Sequence, residues 1–133
     1  MNDEERIKAT LEKYYNSLET FDDEMMRQVV HPEAKMFNAG ESGTFFIKTR
    51  EEFIKSVIEA PRRYGMKPFI IKIQEFIHIA ICELIASAEV EWEMVMPNSV
   101  GIHHTYYHLA KMDDKWVIVN ILDRGKETGG KFR

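Results

Sequence analysis

The sequence is poor in the residues that mark disulfide-rich, nucleic-acid-binding or secreted proteins. Its one cysteine, Cys82, excludes an internal disulfide and is typical of a reducing compartment. The formal net charge of −4 gives no basic surplus to attract nucleic acid or an anionic membrane. The opening residues are acidic and polar, unlike a signal peptide. We therefore predict a cytoplasmic protein with neither a nucleic-acid nor a membrane partner.

Long apolar runs and cofactor motifs are also missing. The most apolar stretch, residues 69–88, is interrupted by charged residues and is not expected to span a membrane. The spacings typical of phosphate loops, zinc sites and nucleophilic triads do not occur. The sequence thus predicts no metal and no cofactor.

What is present is typical of one globular domain. The chain has 133 residues, of which 44% are hydrophobic and 30% charged, ordinary values for a soluble fold. Repeats, low-complexity segments and linkers are lacking. We predict a single domain over residues 1–133.

Three helices are predicted in the first half of the chain. Asn2 can cap a helix over about residues 3–19, whose apolar side chains recur at helical spacing. A short second helix ends before Pro32. Residues 49–52 form a capping box that opens a third helix, predicted to end at Pro61.

Strands are predicted for the remaining segments. Residues 34–47 indicate a hairpin with its turn at 40–43, and residues 69–79 and 84–96 indicate two long strands. Asp113-Asp114 has the spacing of a two-residue hairpin loop between the last two strands. Helices on one face of a curved, mostly antiparallel sheet give an α+β fold class.

The turns of the last three strands set a register that assigns each side chain to a face. A loop at Asp113-Asp114 pairs Tyr107 with Asn120, and pairing Met96 with Gly101 across Pro97 sets Trp92 opposite Thr105. The inner face then carries no Asp or Glu. Its predicted members are Ala88, Val90, Trp92, Met94, His103, Thr105, Tyr107, Leu109, Trp116, Ile118, Asn120 and Leu122.

The outer face of this sheet carries an apolar patch that predicts a partner subunit. Soluble monomers seldom leave such a patch uncovered, and two-fold symmetry is the commonest way for a second copy to cover it. We predict a homodimer through the outer face. The predicted contact residues are Tyr106, Ala110, Val117, Val119 and Ile121.

The histidines of the fifth predicted strand do not suggest a metal site. His103 and His104 are adjacent and so point to opposite faces. His104 and His108 share a face but lie about 13 Å apart by the strand rise, too far for one ion. Glu93 and Glu89 are their predicted cross-strand neighbours, so we expect ion pairs.

The chain resembles the nuclear transport factor 2-like superfamily of cone-shaped, cystatin-like folds, and within it the putative lumazine-binding branch. HPEA at residues 31–34, TREEF at 49–53 and YYHLAKMDDKWVIVN at 106–120 carry the resemblance, which covers nearly the whole chain. It implies three helices packed on a strongly curved sheet, with a small-molecule pocket inside the cone.

The candidate site lies on the inner face. An apolar, aromatic pocket with a few polar groups is typical of small-molecule sites, which predicts a small apolar or heterocyclic ligand. A filled core, in which Tyr107 and Asn120 satisfy each other, is the alternative. The predicted site residues are Tyr14, Phe37, Trp92, Met94, His103, Thr105, Tyr107 and Asn120.

Two further functions stay open. The superfamily includes ketosteroid isomerases and SnoaL-like cyclases and dehydratases, which use an Asp or His with a Tyr inside the cone. Here His103 has a suitable ordinary pKa for moving a proton, and Tyr107 or Tyr14 can stabilise an oxyanion. Many relatives hold an aspartate at the position of Thr105, so the resemblance implies a missing carboxylate. A non-catalytic, dimeric protein-interaction module is the other alternative.

Overall fold

Six strands form one mixed sheet that curls around the helices. The computed structural model describes residues 1–40, 42–67 and 69–126; Glu41 of the predicted turn, Pro68 and residues 127–133 of the predicted domain lie outside the described residues. The strands are β1 (Val30–Ala39), β2 (Phe45–Thr49), β3 (Ile70–Cys82), β4 (Ile85–Met96), β5 (Ser99–Met112) and β6 (Lys115–Lys126). Their order is β2-β1-β6-β5-β4-β3. Only β1 and β6 pair in parallel among these neighbours.

The first two helices begin at side-chain caps. In α1 (Asp3–Thr20), the Asn2 side chain accepts a hydrogen bond of 2.8 Å from the Glu5 amide, and the Glu5 carboxylate accepts from the Asn2 amide in return. In α2 (Asp23–Val29), Asp22 accepts from the Met25 amide. These contacts satisfy amides that have no partner inside the helix.

The third helix, α3, is α-helical over Arg50–Ile54, π-helical over Lys55–Glu59 and α-helical again over Ala60–Arg63. The predicted capping box at residues 49–52 is present. The predicted end at Pro61 is wrong. Proline has no amide to donate, and a π-helical turn placed before it, in which the Ala60 amide bonds the Lys55 carbonyl, lets the helix continue.

The helices pack against the inner face of the sheet to form the core. Its fully buried side chains come from α1, α2, α3, β1 and the last three strands, and include Ile7, Leu11, Met26, Val30, Ile54, Ile58, Val90, Tyr107, Leu109 and Ile118. Along residues 1–40, 42–67 and 69–126, every helix falls short of the length and apolarity needed to cross a membrane.

The turn between β4 and β5 is tighter than predicted. Met96 pairs with Ser99, so Pro97 and Asn98 alone form the turn, whereas the prediction set Met96 opposite Gly101. Every partner along the two strands therefore shifts by two residues. Because side chains alternate with a period of two, this error leaves each one on its predicted face.

A β-bulge in β6 has a larger effect, and the sequence analysis missed it. Leu109 pairs with Ile118 as predicted, but the next pair is His108 with Asn120, which leaves Val119 as an extra residue. A bulge of this kind sets two residues of one strand against one of its neighbour. The alternation of β6 is therefore inverted beyond Val119.

The inverted alternation corrects the predicted faces of the residues that follow. Ile121, predicted for the outer patch, is buried and pairs with Tyr107. Leu122, predicted for the inner face, is 41% exposed. Asn120 also lies on the outer face, so its predicted pairing with Tyr107 is wrong. Asp123 takes the inward position.

The outer ion pairs differ from the predicted ones because the tighter turn shifts the register of β4 against β5 by two residues. His104 pairs in the ladder with Glu91, and its Nε2 contacts the Glu89 carboxylate at 2.7 Å. Glu93 and His108, predicted as partners of His104 and Glu89, are paired in the ladder with Ile102 and Ser87.

Candidate functional site

A cavity of about 330 Å³ lies between the inner face of the sheet and α3. Its volume falls at the lower end of the range typical of small-molecule pockets, roughly 300–1,000 Å³. The predicted site residues that the structure brings together around it are Tyr14, Phe37, Trp92, Met94, His103, Thr105 and Tyr107. Asn120 is not among its lining residues, because the bulge turns it outward.

Phe37 borders this cavity differently from the other predicted residues. It lies on β1 between Met36 and Asn38, which also line the cavity. Its partners in register are Ile47 and Leu122, both exposed on the outer face. Since cross-strand partners share a face, the side chain of Phe37 belongs to the outer surface.

The wall formed by β2 and α3 was missed by the sequence analysis. Phe46 and Lys48 line the cavity from β2, and Phe53, Ser56 and Val57 line it from α3. The apolar stripe of the third helix is the sequence signal for part of this wall, since it identifies the face of the helix that packs on the sheet.

The cavity contains a carboxylate–histidine pair. Asp123 on β6 and His103 on β5 approach with Oδ2 and Nδ1 3.0 Å apart, and both side chains are mostly buried. The bulge at Val119 makes this contact possible, because it turns Asp123 to the inner face. The prediction that the inner face lacks a carboxylate to orient the histidine is therefore wrong.

Two further donors hold the Asp123 carboxylate. The Thr105 hydroxyl donates to Oδ1 at 2.6 Å, and the Asn38 amide group donates to Oδ2 at 2.9 Å. Thr105 in turn accepts from the indole Nε1 of Trp92 at 2.9 Å. A carboxylate fixed by this many donors is held in one position. It lies in register with Thr105 across β5 and β6.

The same contacts fix the orientation of the imidazole. A carboxylate at Nδ1 favours the tautomer with its proton on Nδ1, which leaves the lone pair on Nε2. The ring also stacks on Trp92, with centroids 4.1 Å apart and planes 13° from parallel. His103 thus presents a preoriented hydrogen-bond acceptor or base.

Gly125 provides the space that the imidazole occupies. It pairs with His103 across β5 and β6. A Cβ atom built at Gly125 would lie 2.7 Å from Cε1 of the ring, closer than side-chain carbons approach one another. Any larger residue at this position would displace the imidazole.

Three tyrosines from α1 and β5 meet at the inner end of the cavity. The hydroxyls of Tyr15 and Tyr107 are 2.7 Å apart and satisfy each other. Burial raises the pKa of Tyr14 and Tyr107 well above the ordinary value, and the neighbouring Tyr15 hydroxyl adds to the effect. All three therefore stay protonated and available as donors.

The hydroxyl of Tyr14 differs from the other two. Within the described part of the chain it makes no side-chain hydrogen bond, and no buried polar atom there lacks a partner, so the hydroxyl must be reachable from the cavity. Tyr14 therefore offers a free donor to whatever occupies the space.

The described residues contain no cluster of three or more His, Cys, Asp or Glu side chains that could hold a metal ion. The groups that could act chemically are instead an imidazole, a carboxylate and a phenol. Such a set can bind a polar edge of a ligand, or transfer a proton.

The sequence is similar to one protein family over most of its length. Residues 2–122 match the family described as putative lumazine-binding. No curated protein is significantly similar to the sequence.

Solved structures with this fold come from several bacteria. An NTF2-like protein of unknown function from Shewanella baltica has a TM-score of 0.77 and 17% identity, covering 93% of this chain and 94% of its own. A domain of unknown function with a cystatin-like fold from Nostoc punctiforme has a TM-score of 0.72 and 18% identity, covering 93% of this chain and 77% of its own. A putative ketosteroid isomerase from Shewanella frigidimarina has a TM-score of 0.65 and 16% identity, covering 86% and 91%. At these identities the similarity shows the fold, an NTF2-like, cystatin-like cone.

Proposed function

The chain belongs to the putative lumazine-binding family, and we propose that it binds a small, planar, largely apolar heterocycle in the cavity between the sheet and α3. The observation that carries this proposal is the distribution of polar groups in the wall. Most of the lining is aromatic or aliphatic, and the polar atoms that can meet a ligand include Nε2 of His103 and the hydroxyl of Tyr14. Such convergence of a few polar groups in an apolar pocket is what fixes the orientation of a ligand.

A heterocycle has the groups that these side chains require. Its ring N–H can donate to Nε2 of His103, while a ring nitrogen or carbonyl can accept from the Tyr14 hydroxyl. Phe53 and Val57 on α3 provide apolar surface for the faces of the ring system. Each buried polar contact also contributes specificity, because a ligand without the matching group leaves the protein atom unpaired.

Thermal unfolding with a set of bicyclic heterocycles tests the proposal. A ligand at about a hundred times its Kd should stabilise the folded state by about 2.7 kcal/mol. Val57→Trp fills the cavity without touching His103 or Tyr14, and should abolish the shift. Ile47→Trp, at an exposed position of β2, is the matched control and should keep it. Stabilisation that survives Val57→Trp would place the ligand elsewhere.

A second candidate function is acid–base catalysis, favoured specifically by the pairing of His103 with Asp123. In this reading Nε2 of His103 removes a proton next to a carbonyl group, Asp123 stabilises the imidazolium, and Tyr14 donates to the developing enolate oxygen. All three groups line one cavity, and the tyrosine is protonated, as an oxyanion donor must be.

Proton exchange distinguishes the catalyst from the binder. Cyclic ketones incubated in deuterated water should exchange their α-protons faster with the protein than without it. His103→Gln should abolish the acceleration, and Asp123→Asn should reduce it, since the amide removes the charge that stabilises the imidazolium. If ketones occupy the cavity and none of them exchanges its α-protons, the catalytic function is excluded and only the binding function stands.

We also propose a homodimer through the outer face, with the patch revised by the bulge. Leu122, which is 41% exposed, replaces the buried Ile121 beside Tyr106, Ala110, Val117 and Val119. Val117→Glu should then convert a dimer to a monomer in sedimentation velocity, while Ile47→Glu, an exposed apolar residue outside the patch, should not. A parent that sediments as a monomer would contradict the proposal.

Two other predictions accompany these proposals. A dimer that binds no small molecule would favour the protein-interaction module. A cytoplasmic location stays a prediction, based on the lone Cys82, whose thiol is free and exposed.

A further inference from the structure

The cavity wall contains a lysine at a position where its neighbours on the same face are apolar. Lys48 on β2 pairs with Met36, which pairs in turn with Ile121 on β6, so the three side chains share the inner face. The other two are buried and apolar, while Lys48 is half-buried and lines the cavity. An apolar residue would extend this row at lower desolvation cost.

Lys48 has a neutral partner. Its Nζ donates to Oγ of Ser56 at 3.0 Å, and that hydroxyl donates onward to the Phe53 carbonyl at 3.1 Å. Within the described ranges no carboxylate lies within salt-bridge distance of Lys48. Glu52 is near enough for Lys48 to contribute to its lowered pKa, but that carboxylate accepts from the Thr49 amide in the capping box. Arg27, by contrast, contacts Asp23 and Glu51 directly.

Among the residues that the structure describes, the only acidic side chain lining the cavity lies on the other side of it. Asp123 is on β6, two strands away from Lys48 in the order β2-β1-β6, and is engaged by His103, Thr105 and Asn38. Two strand spacings amount to about 10 Å between backbones. The cavity is thus cationic at one wall and carries a satisfied carboxylate at the other, which would repel a second anion.

From this polarity we infer that the ligand of the cavity carries an acidic group, a carboxylate or a group of similar charge, that binds Nζ of Lys48. The inference rests on the proposed binding function and specifies its ligand class: a planar apolar body with one anionic substituent. An ammonium has three donors, of which Ser56 accepts one, so the others are free for an anion. The neutral edge of the ligand then lies toward His103 and Tyr14.

The test compares a planar acid with its neutral amide. Naphthoate and naphthamide have the same ring system and nearly the same shape, and isothermal titration calorimetry gives both affinities. The parent should bind naphthoate more tightly. Lys48→Met should weaken naphthoate roughly tenfold to a hundredfold, the usual loss for a charge-assisted hydrogen bond, and leave naphthamide unchanged. Lys48→Arg should retain most of the preference.

Two control variants separate ligand recognition from other roles of the lysine. Lys35→Met removes an exposed charge from the neighbouring strand β1, where Lys35 also contributes to the lowered pKa of Glu52, and should not alter the preference for acid over amide. Ser56→Ala breaks the tether between β2 and α3 but keeps the cation, and should also preserve it.

The outcomes distinguish failure of this inference from failure of the proposed function. Equal binding of acid and amide by the parent would overturn the inference and leave the binding function intact. Loss of both ligands in Lys48→Met and Ser56→Ala alike would show that the lysine acts as a structural tether, which also overturns it. A parent that binds neither these probes nor any heterocycle would contradict the binding function itself.

Discussion

The side chains of β6 alternate between the two faces of the sheet on both sides of Val119, but the bulge there reverses which residues point inward. Before Val119, the inward side chains are Trp116 and Ile118, which fill the core. After it, they are Ile121 and Asp123, and the strand places a carboxylate beside an imidazole. The first half therefore contributes to core packing, and the second half contributes polar groups to the cavity.

The difference shows how a bulge changes which side chains of a strand face a cavity. If the same residues formed a regular strand, alternation would direct Asn120 inward and Asp123 outward. The bulge keeps the outer ladder paired while exchanging those two side chains. Bulges are common next to functional sites because they re-aim side chains in this way.

Reversing the phase of β6 beyond the bulge should have the largest effect. Deletion of Val119 and Asn120 together would place Ile121 directly after Ile118, turning Ile121 out of the core and directing Leu122 and Arg124 inward. We expect a loss of about 4 kcal/mol or more in the free energy of unfolding, the cost of vacating a large apolar site plus burying an unpaired charge. Urea denaturation measures it. Deletion of Val119 alone removes the extra residue but keeps Ile121 and Asp123 on the inner face, so it should cost much less; equal losses from the two deletions would contradict this account.

Truncating one polar side chain on each face of β6 should show that the inward one contributes more to the free energy of unfolding. Asp123→Ala leaves His103, Thr105 and Asn38 without their acceptor, so we expect a loss of about 2 kcal/mol. Asn120→Ala removes an amide from the outer face and should cost about 0.5 kcal/mol or less. Chemical denaturation at neutral pH gives both values. Similar costs for the two variants would contradict the inward placement of Asp123.

The smallest effect should appear in alkaline solution, where two adjacent tyrosines of β5 differ. Burial raises the pKa of Tyr107 well above 10.0, so its contribution to stability is complete below that pH and is lost as the pH rises beyond it. The slope should be about 1.4 kcal/mol per pH unit for each such tyrosine.

Substitution of each tyrosine separates the two contributions. Tyr107→Phe should reduce the steepness of the stability decline between about pH 10 and about pH 11, measured by denaturation at each pH. Tyr106 is exposed, and nearby Glu89 raises its pKa, so Tyr106→Phe should change the slope much less. A larger effect from Tyr106→Phe would contradict the burial of Tyr107.

Much of this architecture follows from local sequence signals. The caps at Asn2 and Thr49 and the hairpin at Asp113-Asp114 are determined by residues within a few positions of one another, and all three are present. Both aspartates adopt positive φ, as a two-residue turn requires. The inner-face assignment of β4 and β5 also holds, because an error of two residues does not change the face.

The part of the site contributed by β6 could not be assigned in this way. The bulge involves Val119, an ordinary strand residue, with no glycine or proline to mark it. One signal was available: the apolar residues Trp116, Ile118 and Ile121 are spaced by two and then three, as a bulge requires. The parallel pairing of β1 with β6 also depends on residues some 85 positions apart, as in the contact of Asn38 with Asp123.

The close approach of Gly125 to His103 has an evolutionary consequence. A side chain at position 125 and an imidazole at position 103 compete for the same volume. The two positions should therefore covary among related proteins: glycine at 125 wherever histidine occupies 103, and a wider choice wherever the facing residue is small. Neither residue can be replaced freely before the other, so a lineage that acquires the histidine must first, or at the same time, acquire the glycine.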